Sequence, residues 1–150
     1  MAREIERKFL VCGEGWRKRG GRGKEIRQAY LALTRTLSLR VRTVGKTKAY
    51  ITIKSAKSQL SRSEFEYPIP VKDARALMKL RTGRIIEKRR HVVKARNTAF
   101  EIDVFAGDHR GLIIAEVELP SARSKFDCPD WLGKEITNQK KYYNASLARR

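Results

Sequence analysis

The sequence predicts a mainly β fold of the α+β class, folded as one domain over residues 1–150. Three observations carry this. Eight short runs alternate apolar with polar residues, which is the period of a strand. Only one internal segment, from Val71 to Leu80, shifts clearly to the period of a helix. In most of the runs the polar parity is charged, with acids or bases recurring at every second position.

The first run, 4–11 (EIERKFLV), sets Ile5, Phe9 and Val11 against Glu4, Glu6 and Lys8. Gly20, Gly21 and Gly23 separate it from a second strand at 25–31. The third, 38–44, places Arg40 and Arg42 opposite Leu39 and Val41, and Gly45 closes a tight connection to the fourth. In that fourth strand, 48–54, Tyr50, Thr52 and Lys54 oppose Ile51 and Ile53. The fifth, 62–69, sets Arg62, Glu64 and Glu66 against Phe65 and Tyr67, and Pro68 and Pro70 end it.

A helix follows at 71–80. Val71, Ala74, Leu77 and Met78 share one face, and Asp73 sits near the positive end of the helix dipole. The remaining strands are 85–93, 98–105 and 112–119. Lys88 and Arg90 share a face of the first, Glu101 and Asp103 a face of the second, Glu116 and Glu118 a face of the third. Ser121–Asp127 is read as a short helix, Pro129–Trp131 as a loop and Asn138–Arg149 as a terminal helix.

A charged parity has two readings. An antiparallel sheet ordinarily packs one face on the core and leaves the other to water. Here, however, seven strands repeat charge–x–charge, and each doublet tends to one sign, a sorting that a solvated face does not need. A sheet closed into a barrel with these faces inward accounts for it. Carboxylate strands suit Mg²⁺ or Mn²⁺, and basic strands grip phosphate oxygens, arginine with a two-pronged donor. Such a lining holds eight acids and seven bases, leaving 28 bases and 8 acids outside.

The chain carries 35 Lys and Arg against 16 Asp and Glu, a net charge of +19. That excess favours an anionic partner: nucleic acid, polyphosphate or an acidic membrane surface. No apolar run approaches the ~20 residues of a membrane span, and acids and bases begin at the third residue where a secretory leader would be apolar. A cytoplasmic protein is expected. Cys12 and Cys128 are read as reduced and structural, and with no histidine near either they make no zinc site. The segment WRKRGGRGKE (16–25) is not a phosphate-binding P-loop, because Glu25 follows Lys24 where Ser or Thr is required. It is read as a mobile, solvated connection, with contact to polyphosphate or nucleic acid as the alternative. His91 is placed on the outer wall, His109 stands alone, and Trp16 and Trp131 are read as packing aromatics.

The motif Glu4-x-Glu6-x-Lys8 is followed in order by RQAYL, LRVR, ITIKS, LSRSEFEYPI, IIEKRR, FEIDVF, AEVEL and KKYYNASLA. Over nearly the whole chain this resembles the CYTH superfamily, the triphosphate tunnel metalloenzymes, and most of all its short bacterial members. The resemblance implies an eight-stranded antiparallel β-barrel tunnel with accessory helices outside. It implies a hydrolase that uses Mg²⁺ or Mn²⁺ to cleave inorganic triphosphate (tripolyphosphate) to pyrophosphate and phosphate. By position, Glu4, Glu6, Glu116 and Glu118 would hold metal. Lys8, Arg40, Arg42, Lys54, Lys88 and Arg90 would hold phosphates, with Arg62 a conditional addition. Glu101 and Asp103 would place a second metal or a water. Tyr30 would pair with Lys54, whose charge favours a phenolate able to take a proton from the attacking water. The competing reading of Tyr30 is a barrel-wall aromatic. Adenylyl cyclase, thiamine or nucleoside triphosphatase and a non-enzymatic polyphosphate- or RNA-binding module are the alternatives.

Overall fold

The computed structural model describes residues 5–55 and 63–149. Its strands are β1 (Ile5–Val11), β2 (Lys24–Leu33), β3 (Leu37–Val44), β4 (Lys48–Ser55), β5 (Glu64–Pro68), β6 (Thr82–Ala95), β7 (Thr98–Phe105), β8 (Ile113–Leu119) and β9 (Leu132–Glu135). The helices are α1 (Arg17–Gly20), α2 (Val71–Met78) and α3 (Asn144–Ala148), with 3₁₀ turns at Gly107–His109 and Lys140–Tyr142. Every pairing with a stated register is antiparallel. No helix among the described residues is long and apolar enough to cross a membrane.

Contacts divide the chain into two compact units. One comprises the residues up to Lys24 together with Lys88–Lys140, and the other Glu25–Glu87 with the residues from Lys141 onward. The first carries the strand order β6-β7-β8-β1-β9. Its core lies on the uncharged parity. Phe9, Val93, Phe100, Ile102, Ala115, Val117 and Leu119 form one buried cluster with Trp16 and Trp131. Phe100 meets Trp131 edge-on at 5.1 Å, and Phe126 meets both Phe9 and Phe100 in the same way. Aromatic side chains from two irregular segments therefore cover the apolar face of the strands.

The second unit carries the order β5-β4-β3-β2-β6. Here α2 lies on the uncharged parity, where Ala29, Val41 and Ala49 pack with Ala74 and Met78. A β-bulge in β2 between Tyr30 and Ala32 shifts the register, so that Ala32 pairs with Leu39 and Leu33 with Ser38. Tyr30 keeps the charged parity while the residues beyond it change face.

Several expectations are corrected. Among the described residues there are nine strands rather than eight. The ninth, LGKE, has no alternation to announce it, and each of β5 and β9 has a single neighbour. Ser121–Asp127 forms turns rather than a helix, and its Phe126 reaches into the core. The tail is shorter than expected, a 3₁₀ turn and five helical residues. The connection at 16–25 is solvated along its basic residues, as expected, but it is pinned at two buried points and carries the short helix α1. Trp16 is only 1% exposed, Gly20 is buried, and the Gly20 carbonyl lies 3.1 Å from His91 Nδ1. His91 is on the expected face, but that segment buries it. Gly23, at φ +67, lies so close to β6 that a Cβ there would stand 2.6 Å from the Arg90 carbonyl oxygen.

Candidate functional site

In each unit the charged parity forms one continuous face. In the first unit the register places Glu6 opposite Glu118 and Lys8 opposite Glu116 on β1 and β8. The rows continue with Glu101 opposite Glu116 and Asp103 opposite Arg90. Lys8 Nζ stands between two carboxylates, 3.6 Å from Glu6 and 3.4 Å from Glu116. Glu6 and Glu118 lie at the exposed end of the face.

The other end is sealed. Lys88 and Asp103 are each 2% exposed, with their charged groups 2.9 Å apart. Arg90 donates two hydrogen bonds to Asp103, at 2.8 and 2.9 Å, and stands 2.8 Å from Glu101. Burial works against the Asp103 carboxylate, but Lys88 and Arg90 outweigh it and hold the pKa at about 2. Burial lowers the Lys88 pKa against the pull of Asp103. For Arg90 burial lowers the pKa, but the hydrogen bonds and charge of Asp103, together with Glu101 and Glu116, outweigh it, and the pKa is raised. The Lys88 ammonium also lies 5.5 Å from the Phe105 ring centroid.

The second unit is basic. Gln28 pairs with Arg42 and Tyr30 with Arg40 across β2 and β3. Arg40 pairs with Thr52, Arg42 with Tyr50 and Ser38 with Lys54 across β3 and β4. Thr52 faces Glu66, and Lys54 faces Glu64. Arg42 Nη2 is 3.7 Å from Glu66, which also accepts a 3.1 Å bond from the Thr52 hydroxyl. Lys54 Nζ is 4.0 Å from Glu64. Arg40 Nε is buried without a hydrogen-bond partner among the described residues. A face so rich in donors suits an acceptor-only ligand such as a phosphate chain.

The structure therefore collects Glu6, Lys8, Lys88, Arg90, Glu101, Asp103, Glu116 and Glu118 on one face, and Tyr30, Arg40, Arg42 and Lys54 on another. Glu4 and Arg62 lie outside the described residues. Asp103 is engaged by two bases, Lys88 and Arg90. Tyr30 and Lys54 share a face but not a row: Tyr30 faces Arg40, and Lys54 faces Ser38 and Glu64. Gln28 was not singled out in the sequence. A polar residue between Ile26 and Tyr30 on an inward parity was the available signal.

Among the described residues no three histidine, cysteine or acidic groups converge on one point. The donors nevertheless fit a hard divalent cation in kind. Glu6, Glu116 and Glu118 offer only carboxylate oxygens on two paired strands, with the Lys8 ammonium 3.6 Å from Glu6 and 3.4 Å from Glu116.

Comparison with known proteins gives concordant results. The family model for the CYTH domain matches residues 2–150. The chain is 38% identical over 150 residues to the inorganic triphosphatase of Acetivibrio thermocellus, covering 99% of this chain and 95% of that protein. It is 40% identical over 153 residues to the inorganic triphosphatase of Nitrosomonas europaea, covering 97% and 96%. The crystal structure of the inorganic triphosphatase NE1496 is similar with a TM-score of 0.75 at 36% identity, covering 100% of this chain and 97% of that one. With the match running across all the strands that carry the charged parity, this chain belongs to the CYTH domain family.

Proposed function

We propose that the protein is a divalent-metal-dependent hydrolase that cleaves inorganic triphosphate to pyrophosphate and phosphate. The observation that carries this is the sorting of charge by register. Paired carboxylates occupy β1 and β8, while Arg40 and Arg42 share one face of β3, in register with Gln28, Tyr30, Tyr50 and Thr52. Two inorganic triphosphatases at 38% and 40% identity over nearly their full length support it.

Hydrolysis of a phosphoanhydride needs positioning and charge neutralisation more than covalent help. Arg40, Arg42 and Lys54 bind phosphoryl oxygens, and Lys8, Lys88 and Arg90 add to that binding. Asp103 holds Lys88 and Arg90 in place, so their donors are ordered before substrate arrives. Glu6, Glu116 and Glu118, with Glu4, would hold Mg²⁺ or Mn²⁺, which would supply charge neutralisation at the phosphate oxygens. A water attacks the terminal phosphorus, the bond to the bridging oxygen breaks, and pyrophosphate leaves with that oxygen's electron pair. Tyr30, on the same face as Lys54, orients this water and, as the phenolate, accepts its proton. Cys12 and Cys128 are free and exposed, which suits a reducing, cytoplasmic setting.

The test is phosphate release from tripolyphosphate, ATP, thiamine triphosphate and long-chain polyphosphate, each with Mg²⁺ and with Mn²⁺. Tripolyphosphate should be the best substrate. Glu6→Ala and Arg42→Ala should each lower kcat/KM by on the order of 10²–10³, and Tyr30→Phe should lower kcat with KM little changed. A folded Glu6→Ala protein with wild-type rates would refute the proposal, and cyclic AMP from ATP would replace it with the cyclase.

A further inference from the structure

Gln28 lies on the charged face of β2, directly across from Arg42. It is 0% exposed, and neither its amide oxygen nor its amide nitrogen has a hydrogen-bond partner among the described residues. Buried side-chain amides are ordinarily bonded, since an unmet donor or acceptor in the interior is costly. Packing alone does not call for an amide here, because Ile26 and Tyr30, two residues either side on the same strand and face, are buried too. Arg40, one row along, has a buried Nε in the same condition.

We propose that Gln28 is a substrate-binding residue whose amide is satisfied only when triphosphate is present. This role rests on the triphosphatase function proposed above. Arg42 is the cross-strand neighbour of Gln28, and its Nη2 stands 3.7 Å from Glu66. When Arg42 turns to a phosphoryl group, the Gln28 nitrogen donates to an oxygen of the same group and the Gln28 oxygen accepts from the guanidinium. A neutral amide adds a directed donor without further charge beside Arg40, Arg42 and Lys54. Its preference is for an anion whose oxygens all accept, which a phosphate chain supplies along its length.

The test uses the full chain with Gln28→Met, close to glutamine in length and lacking both polar groups. Melting is followed with and without tripolyphosphate in EDTA, where no turnover occurs, and hydrolysis is followed with Mg²⁺. The ligand-free variant should melt at or above the wild-type temperature. Its stabilisation by tripolyphosphate should shrink, and KM should rise about tenfold. Gln28→Glu, which keeps the shape but repels phosphate, should bind more weakly still. A Gln28→Met protein that fails to fold, or melts several degrees lower, makes Gln28 structural and overturns the inference. Unchanged KM in either variant overturns it as well. Wild-type protein that neither hydrolyses tripolyphosphate nor is stabilised by it removes the underlying function, and this role with it.

Discussion

Asp103 shows how far an individual side chain's role depends on what surrounds it. By type and position it looks like an oxygen ligand for a metal, yet it accepts from Lys88 and from both prongs of Arg90 in a nearly dry pocket. With Glu101 2.8 Å from Arg90, two bases meet two acids, and the cluster is neutral before any ligand binds. Removing only the acid strands Lys88, whose side chain is 1% exposed. Asp103→Asn should therefore cost about 3–5 kcal/mol, read as a lower urea midpoint. A wild-type midpoint would mean that the cluster does not contribute as described. This pairing was not legible in the sequence, because alternation says which residues share a face but not which neighbour satisfies which. Gln28 was missed for the same reason, since its significance lies in a partner it lacks.

Among the elements, the long alternating strands were readable and the short or irregular pieces were not. β9 is only four residues, and its place is set by contact rather than propensity. Gly133 lies so close to β1 that an added Cβ would stand 2.8 Å from the Leu10 carbonyl oxygen. The Ile136 amide donates to the Lys8 carbonyl, and Arg7 donates to both carboxylate oxygens of Glu135 at 2.9 and 2.6 Å. Those bonds to Arg7 lower the Glu135 pKa from 4.5 to about 2. A carboxylate depressed on folding stabilises above its unfolded pKa, and the stabilisation is lost as pH falls from about 4.5 to about 2. The group is partly solvated, so its worth is about 1 kcal/mol. Glu135→Gln should be less stable than wild type by that amount at pH 7. The gap should close toward pH 2 in urea titrations, and a gap independent of pH would exclude the ion pair as its source. The burial of Trp16 within an exposed connection and the irregular course of 121–127 share one cause. Trp16 and Phe126 pack against strands distant in sequence, and no local period signals that.

For the molecule as a whole, a net charge of +19 bears on encounter rather than on fold. A small polyanion should be drawn toward it, and salt should screen the attraction. With Mg²⁺ held constant, kcat/KM for tripolyphosphate should fall several-fold between about 10 and 150 mM KCl, with kcat changing less. A flat dependence would confine the relevant charge to the two faces. The sequence by itself determined which residues share a face, because a strand's side chains alternate whatever its partners are. It thereby settled the class of fold and put acids and bases on the parity opposite the core. Only the tertiary structure decided which charges neutralise one another, which of them are dry, where a ninth strand joins and which amide is left without a bond. Those outcomes depend on distances between strands far apart in the chain, which register, bulges and close backbone approach set together.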